Sequence, residues 1–448
     1  MAEHGEQAIE LLADLVGRAK AAGADAADAL LYRSLALSVT HRLGKPEDLQ
    51  RAESQDLGLR VFIGQRQAFV ASNDFSRAAQ AELVERAVAM ARATPEDRYC
   101  GLAEAALLAK DWPELDLDDA REPAPDQLYE QAAACEAAAL AVPGVSNSEE
   151  AGASFSRARV SLVTSHGFAG GYGASSHGFY AAVLAGQGTA MERDYEQSHC
   201  RHAADLEAPE AVGRRAGERA VARLDSRKAE SRQVPVVFDP RVSRSLLGHL
   251  IGAISGPAVA RGTSFLKDRL GTQVFAPGIR IVDDPHRRRG LASRPFDGEG
   301  VRNGRMVLVE DGVLRTWILD SSSARQLGLR TTGHASRGTG GPPGPAPSNL
   351  YLEPGPLSPE ALLAEIDEGF YVTELIGFGV NPVTGDYSRG AVGFWIENGR
   401  KTYAVSESTI AGNLQDIFRR VTPANDLVFR YASNAPTCRI DGLTVAGR

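Results

Sequence analysis

The stretch VPVVFDPRVSRSLLGHLIGAISGP, residues Val234–Pro257, holds a strand-to-helix step on which the reading of this chain turns. VPVVF is rich in β-branched residues and reads as a strand. Asp239 suits an N-cap and Pro240 the first helical position. Leu246, Leu247, Leu250, Ile251 and Ile254 then fall on one apolar stripe, and the helix stops at Gly256–Pro257. One histidine, His249, points away from the centre of that stripe, with Ser245 and Ala253 one turn to either side. A helical zinc site needs two ligands at i and i+4 or i+5, and a glutamate beside the metal-bound water as base. Here those positions hold Ala253 and Ile254, and the helix contains no aspartate or glutamate. His249 therefore reads as a polar-face or interface residue and not as a ligand.

Upstream of this step, MAEHGEQAIELLADLVGRAKAAG reads as an amphipathic helix with Ile9, Leu12, Leu15, Val16 and Ala19 on one face. It lacks the uninterrupted apolar core of a signal peptide. LLYRSLALSVTHR reads as a strand, and GLRVFIGQRQAFVASNDFS as a strand pair broken near Gly64. SRAAQAELVERAVAMARAT is a helix, and DWPELDLDDAREPAPD a proline-containing linker. A helix over QLYEQAAACEAAALAV opens the middle third, with strands at RARVSLVTS and GFYAAVLAG. A turn at Gly171–Tyr172 would set His166 opposite His177. PEAVGRRAGERAVARL is a further helix.

Downstream the chain is β-rich. Asp311–Gly312 and Asn398–Gly399 mark hairpins in RMVLVEDGVLRTWIL and GFWIENGRKTYAV. GTGGPPGPAPSN reads as loop, and SPEALLAEIDEGF as a helix. The expected fold is α+β: an N-terminal α/β domain over 1–112, a central domain over 125–230, and a large β-rich C-terminal domain over 233–448.

Composition narrows the function. The 448 residues are 43 % hydrophobic and 24 % charged, with a formal net charge of −8. No basic surplus exists from which to build a nucleic-acid face. No run approaches the roughly 18 apolar residues of a membrane span. Four scattered cysteines form no CxxC pair, which suits a reducing cytoplasm and excludes a Cys-rich zinc ribbon. Arg287–Arg288–Arg289 reads as a solvated loop, with a phosphate or acidic-partner contact as the alternative. In HCRH, His199 and His202 share a face only if helical. RPFDGEGV sets Asp297 and Glu299 in a glycine-flanked turn, solvated or shaping a partner interface or peptide groove. Ser321–Ser323 near Arg325 lack the Gly-x-Ser-x-Gly elbow of a hydrolase nucleophile.

Several stretches occur together in order: GLRVFIGQRQAFVASND, SFSRARVSLVTSHGF, RDYEQSHCRHAADL, RGTSFLKDRLG, DDPHRRRGLASRPFDGEGV, GVLRTWILDSSSARQLG and PTCRIDGLTVAG. With them the chain resembles the TldD/PmbA family (modulator of gyrase, U62 peptidases), and its PmbA/TldE branch, over essentially its whole length. In that family the TldD subunit carries His-Glu-x-x-x-His on a helix after a Leu-Leu pair, and a cysteine ligand near its C-terminus. The same frame here holds Gly248, His249 and Ala253, and the one late cysteine, Cys438, matches a different part of the pattern. The resemblance implies a metal-free cytoplasmic subunit that pairs with a zinc-bearing TldD-like chain to cleave unfolded or extended peptides, and it leaves open whether the chain in isolation forms a homodimer. The residues expected to meet substrate or partner are His249, Asp297, Glu299 and Arg325. Two other readings remain. One is a stand-alone peptidase with a metal drawn from His166, His177, His199, His202, His249 or His334. The other is a non-proteolytic modulator of gyrase or toxin–antitoxin type.

Overall fold

The computed structural model describes residues 2–447. Its N-terminal half comprises α1 (Ala2–Ala21), β1 (Ala26–Arg42), β2 (Lys45–Ile63), β3 (Arg66–Ser72), α2 (Arg77–Ala93), α3 (Pro125–Leu140), β4 (Val145–Thr164), β5 (Ala169–Ala185), β6 (Glu192–Cys200) and α4 (Pro209–Ala222). The strands form one antiparallel sheet in the order β3-β2-β1-β4-β5-β6. The N-terminal and central segments thus share a sheet: β1 pairs β4 from Asp28↔Thr164 to His41↔Ala151.

Alternation along β1 assigns its two faces. Ala27, Ala29 and Leu31 join α1 and α2 in one apolar cluster, and Leu37 and Val39 join α3 and α4 in another. The opposite residues, Asp28 and Leu30, are equally buried, because the C-terminal half covers that face. A run buried on both sides loses its polar alternation, which is why ADALL reads as continuously apolar but for Asp28. The α3–α4 contact is close enough that a Cβ on Gly213 would lie 1.9 Å from the Cys135 carbonyl oxygen.

The C-terminal half contains β7 (Arg232–Phe238), α5 (Pro240–Ile254), α6 (Gly256–Ala260), β8 (Ile281–Asp283), β9 (Met306–Glu310), β10 (Val313–Leu314), α7 (Ser321–Leu327), β11 (Ala335–Ser336), β12 (Gly344–Pro345), β13 (Leu350–Leu352), α8 (Pro359–Ala364), β14 (Glu368–Ile376), β15 (Asp386–Glu397), β16 (Arg400–Asn413), α9 (Leu414–Arg420), β17 (Val421–Pro423), β18 (Ser433–Asn434) and β19 (Cys438–Ala446). One sheet runs β16-β15-β14-β7-β19-β17, and β16 also pairs β19, so it closes on itself. A second sheet runs β10-β9-β8-β13-β18. Between them α5 buries Leu246, Leu247, Leu250 and Ile254 in the largest core of the molecule. The architecture is α+β with a β-rich C-terminal half, as expected.

Local readings fail where distant segments intervene. The β4–β5 hairpin turns at Ser165–Phe168, where Gly167 has φ +101°, and not at Gly171–Tyr172. His177 therefore pairs Phe155 deep in the sheet, while His166 stays in the turn. The proline-containing linker is pinned down. Leu115 and Leu117 are buried, Ser175 donates its N–H to the Leu117 carbonyl at 2.9 Å, and Trp112 packs on Phe296 at 4.9 Å. The helix read over SPEALLAEIDEGF is a short one, α8, and GTGGPPGPAPSN contributes β12, a two-residue pairing with β11.

Candidate functional site

The strand-to-helix step folds as the sequence dictates. Asp239 caps α5 through the Arg241 N–H at 3.0 Å, and the Tyr371 hydroxyl donates to the same carboxylate at 3.0 Å. The Ser243 hydroxyl donates to the Pro436 carbonyl at 2.7 Å, tying the helix to the segment before β19. Along the frame of interest, Gly248 faces open space, and Ala253 is buried. His249 lies half-buried between them, edge-on to Tyr387 with ring centroids 5.7 Å apart. Burial, and then the charge of Arg389, hold its imidazole below the ordinary histidine range. Cys438 is fully buried, its thiol pushed well up by burial, and its sulfur lies 3.3 Å from the Pro436 carbonyl. These residues do not fit a zinc site. The α5 frame offers one imidazole, and no group of three or more His, Cys, Asp or Glu placed to hold an ion exists among the described residues.

The other histidines are held apart by separate partners. His166 Nδ1 meets the Ala103 carbonyl at 2.8 Å, and His199 meets the Ser176 hydroxyl at 2.5 Å. His202 meets the Asp116 carbonyl at 2.9 Å, and His177 lies 3.3 Å from Asp119. His334 lies 3.3 Å from the buried Asp283. His199 and His202 are not on a helix: the first lies within β6, one residue before its end, and the second follows the strand.

Asp297 and Glu299 do not lie in a solvated turn, nor do they line a groove. They are 1 % and 3 % exposed. Asp297 accepts the N–H groups of Glu299, Val301 and Ala335, and Glu299 accepts that of Ser321. Burial, then the neighbouring Glu299, push Asp297 up to about 7; burial likewise raises Glu299. Arg325 also turns inward. Its guanidinium donates to the carbonyls of Tyr99 (2.9 Å), Gly101 (3.3 Å) and Leu102, clamping α7 to the N-terminal half. Ser323 is spent on Asp320, the cap of α7. The arginine run makes contacts within the chain: Arg288 and Arg289 pair with Asp116 at 3.0 and 2.6 Å, and Arg287 sits over the Phe429 ring.

A cleft that sequence reasoning missed opens over the start of α5, at the seam between α4, β6 and the closed sheet. Two adjoining hollows of about 570 and 500 Å³ share Arg219, Asp239, Arg241, Tyr371 and Lys401. Arg219 pairs with Glu196, Arg241 with Asp194 at 2.9 Å, and the Lys401 ammonium lies over the Tyr371 ring at 4.2 Å. Its walls thus mix charge of both signs with aromatic surface. No local motif marks it, because its residues come from segments far apart in the chain.

Against known proteins, residues 27–91, 118–224 and 231–447 match the models of PmbA/TldA metallopeptidase domain 1, central domain and C-terminal domain. The chain belongs to the PmbA/TldD metallopeptidase family. It is 40 % identical to metalloprotease PmbA of Escherichia coli O157:H7, over 95 % of this chain and 93 % of that one. It is 37 % identical to a PmbA homolog of Haemophilus influenzae, over 98 % and 96 %. Among solved structures, a protein of Bacteroides thetaiotaomicron described as a candidate modulator of DNA gyrase superposes with TM-score 0.90 at 27 % identity, covering 98 % of both chains. TldE of Thermococcus kodakarensis superposes with TM-score 0.88 at 21 % identity, covering 98 % of this chain and all of that one, a likeness of fold.

Proposed function

We propose that this PmbA/TldD-family chain is the TldE-type, metal-free companion of a zinc-bearing TldD-like subunit, and that the pair degrades or processes unfolded or extended peptides. The observation that supports this reading is the α5 frame. Its three positions present open space, a single half-buried imidazole and a buried methyl group, and no carboxylate stands on the helix to act as base. Metal, water and base then come from the partner. The cleft at Arg219, Tyr371 and Lys401 contributes a wall to the substrate chamber, where mixed charge and aromatic surface accept varied peptide sequences. Four free cysteines fit a reducing, cytoplasmic setting. No helix of the described residues is long and apolar enough to cross a membrane.

The test is to purify the chain alone, measure its zinc, and assay cleavage of an unstructured peptide with and without a TldD-like chain. Less than 0.1 zinc per chain, and cleavage only by the mixture, are expected. About one tightly held zinc and chelator-sensitive cleavage by the chain alone would establish the stand-alone peptidase instead. A chain that neither binds the partner nor alters its cleavage would point to the non-proteolytic modulator.

A further inference from the structure

The connection between β14 and β15 carries the most exposed large apolar residue among the described residues. Phe378 is 97 % accessible, and Ile376 and Val383 beside it are 55 % and 52 %. This is not a loose loop. Asn381 exchanges backbone hydrogen bonds with Asp386 and Gly385, and its side chain caps Val383 and Thr384. Asn413 braces Thr384 and Asp386 from the next strand, and the Phe265 N–H donates to the Pro382 carbonyl. A Cβ on Gly379 would lie 2.0 Å from the Ser388 carbonyl oxygen, so only glycine permits the fold of the finger. Arg389 lies 6.0 Å from the Phe378 ring and contributes charge to its environment beside His249. The chain thus holds an aromatic side chain out in water on a braced backbone, with Arg389 between it and His249 of α5. Presenting it so costs stability, and a pre-ordered projection loses little entropy on docking.

We propose that this finger is the anchor by which the chain docks onto a different protein subunit, one that offers an apolar pocket rimmed with carboxylates; this rests on the companion-subunit reading above. A convex knob cannot cradle a peptide. A second copy is a poor receiver. The hollow beside the finger, about 420 Å³, is lined mainly by polar and charged side chains, among them Lys267, Asp268, Arg269 and Thr384. An isologous pairing centred on the finger would also bring the two copies of the patch carrying Lys267, Arg269 and Arg389 together. None of these three cations has an ion-pair partner among the described residues, and no acidic residue occurs between Pro240 and Lys267. The carboxylates at that rim are Asp268 and Asp386, the latter bound by Thr384 and Asn413. Three cations on a chain of net charge −8 also give little hold on an anionic membrane.

The test is Ile376→Ser/Phe378→Ser, with the purified TldD-like chain as probe in calorimetry. Both side chains are exposed, so the thermal midpoint should not move. The double variant should bind at least about 30-fold more weakly, as loss of a central aromatic anchor does. Lys267→Glu/Arg389→Glu should weaken binding more at low salt than at high salt. Unchanged affinity of the double variant would overturn the finger while leaving the companion reading intact. No binding by the wild-type chain would overturn both. Finger-dependent dimerisation in sedimentation, or finger-dependent pelleting with phosphatidylserine vesicles, would overturn the choice of partner.

Discussion

Replacing Asp28 by Asn removes one negative charge from the buried junction of the two halves. Asp28 is 1 % exposed on β1. Arg60 lies directly across on β2 and donates through Nε at 2.8 Å, while Arg337, from the loop after β11, donates at 2.6 Å. Burial alone would push the Asp28 carboxyl up, but Arg337 and Arg60 together outweigh it and hold it below the usual carboxylate range. Asparagine keeps the shape, removes the counter-ion of two buried guanidiniums, and turns an NH₂ group toward one of them. Breaking a buried pair by removing one partner costs about 3–5 kcal/mol. Two stranded arginines favour the upper end, and Glu299, which feels Arg60, offsets part of it. A loss of about 4 kcal/mol at pH 7 is expected, read by urea unfolding followed through tryptophan emission. Trp112 reports directly, since it packs on Phe296 across the same junction. A carboxylate with a depressed native pKa contributes stability above its unfolded value near 3.8, lost as pH falls through the native value. The gap between wild type and variant should therefore close below about pH 4. Asp28→Leu with Arg60→Met and Arg337→Met should recover most of the loss, because the desolvation cost disappears with the charges. A deficit under about 1 kcal/mol at pH 7, or one undiminished at pH 3, would refute the ionic account of this junction.

Asp297 behaves in the opposite sense. Its native pKa, about 7, lies above its unfolded value, so its contribution is complete below about pH 4 and is lost as pH rises toward 7. Asp297→Asn should flatten that decline, measured as thermal midpoints from pH 4 to 8; an unchanged profile would show that another group titrates. Gly213→Ala should destabilise by about 1–3 kcal/mol or more, since the added methyl meets the Cys135 backbone and not a side chain that can swing away. Circular-dichroism melts would show it, and a neutral outcome would mean that α3 and α4 can slide apart. Arg325→Met should cost about 2–4 kcal/mol, by loss of charge-assisted bonds to three carbonyls, and should speed proteolytic nicking between residues 94 and 112. Equal nicking rates would place the clamp elsewhere.

Much of the fold is legible in the residue pattern because its causes are short-range. Asp239 and Pro240 start α5, and Asn398–Gly399 turns β15 into β16 with both residues at positive φ. The finger was not legible. Nothing local in Ile376–Val383 shows which way its apolar side chains turn; the bracing by Asn413 and Phe265, remote in the chain, fixes the segment away from the core. The seam cleft was equally hidden, since Arg219 and Lys401 stand 182 positions apart in the numbering and meet only through packing.

The sequence by itself settled the α+β class, the family, the start of α5 and the residues standing in its frame, because side-chain identity, periodicity and turn chemistry are properties of neighbouring residues. Only the tertiary structure decided that Asp297, Glu299 and Arg325 face inward. It likewise decided that the hairpin turns at Gly167 and that the N-terminal and central segments share one sheet. Burial and register depend on which distant surface covers a residue, and a carboxylate in a glycine-rich turn carries no local mark of the arginine or backbone amide that will enclose it.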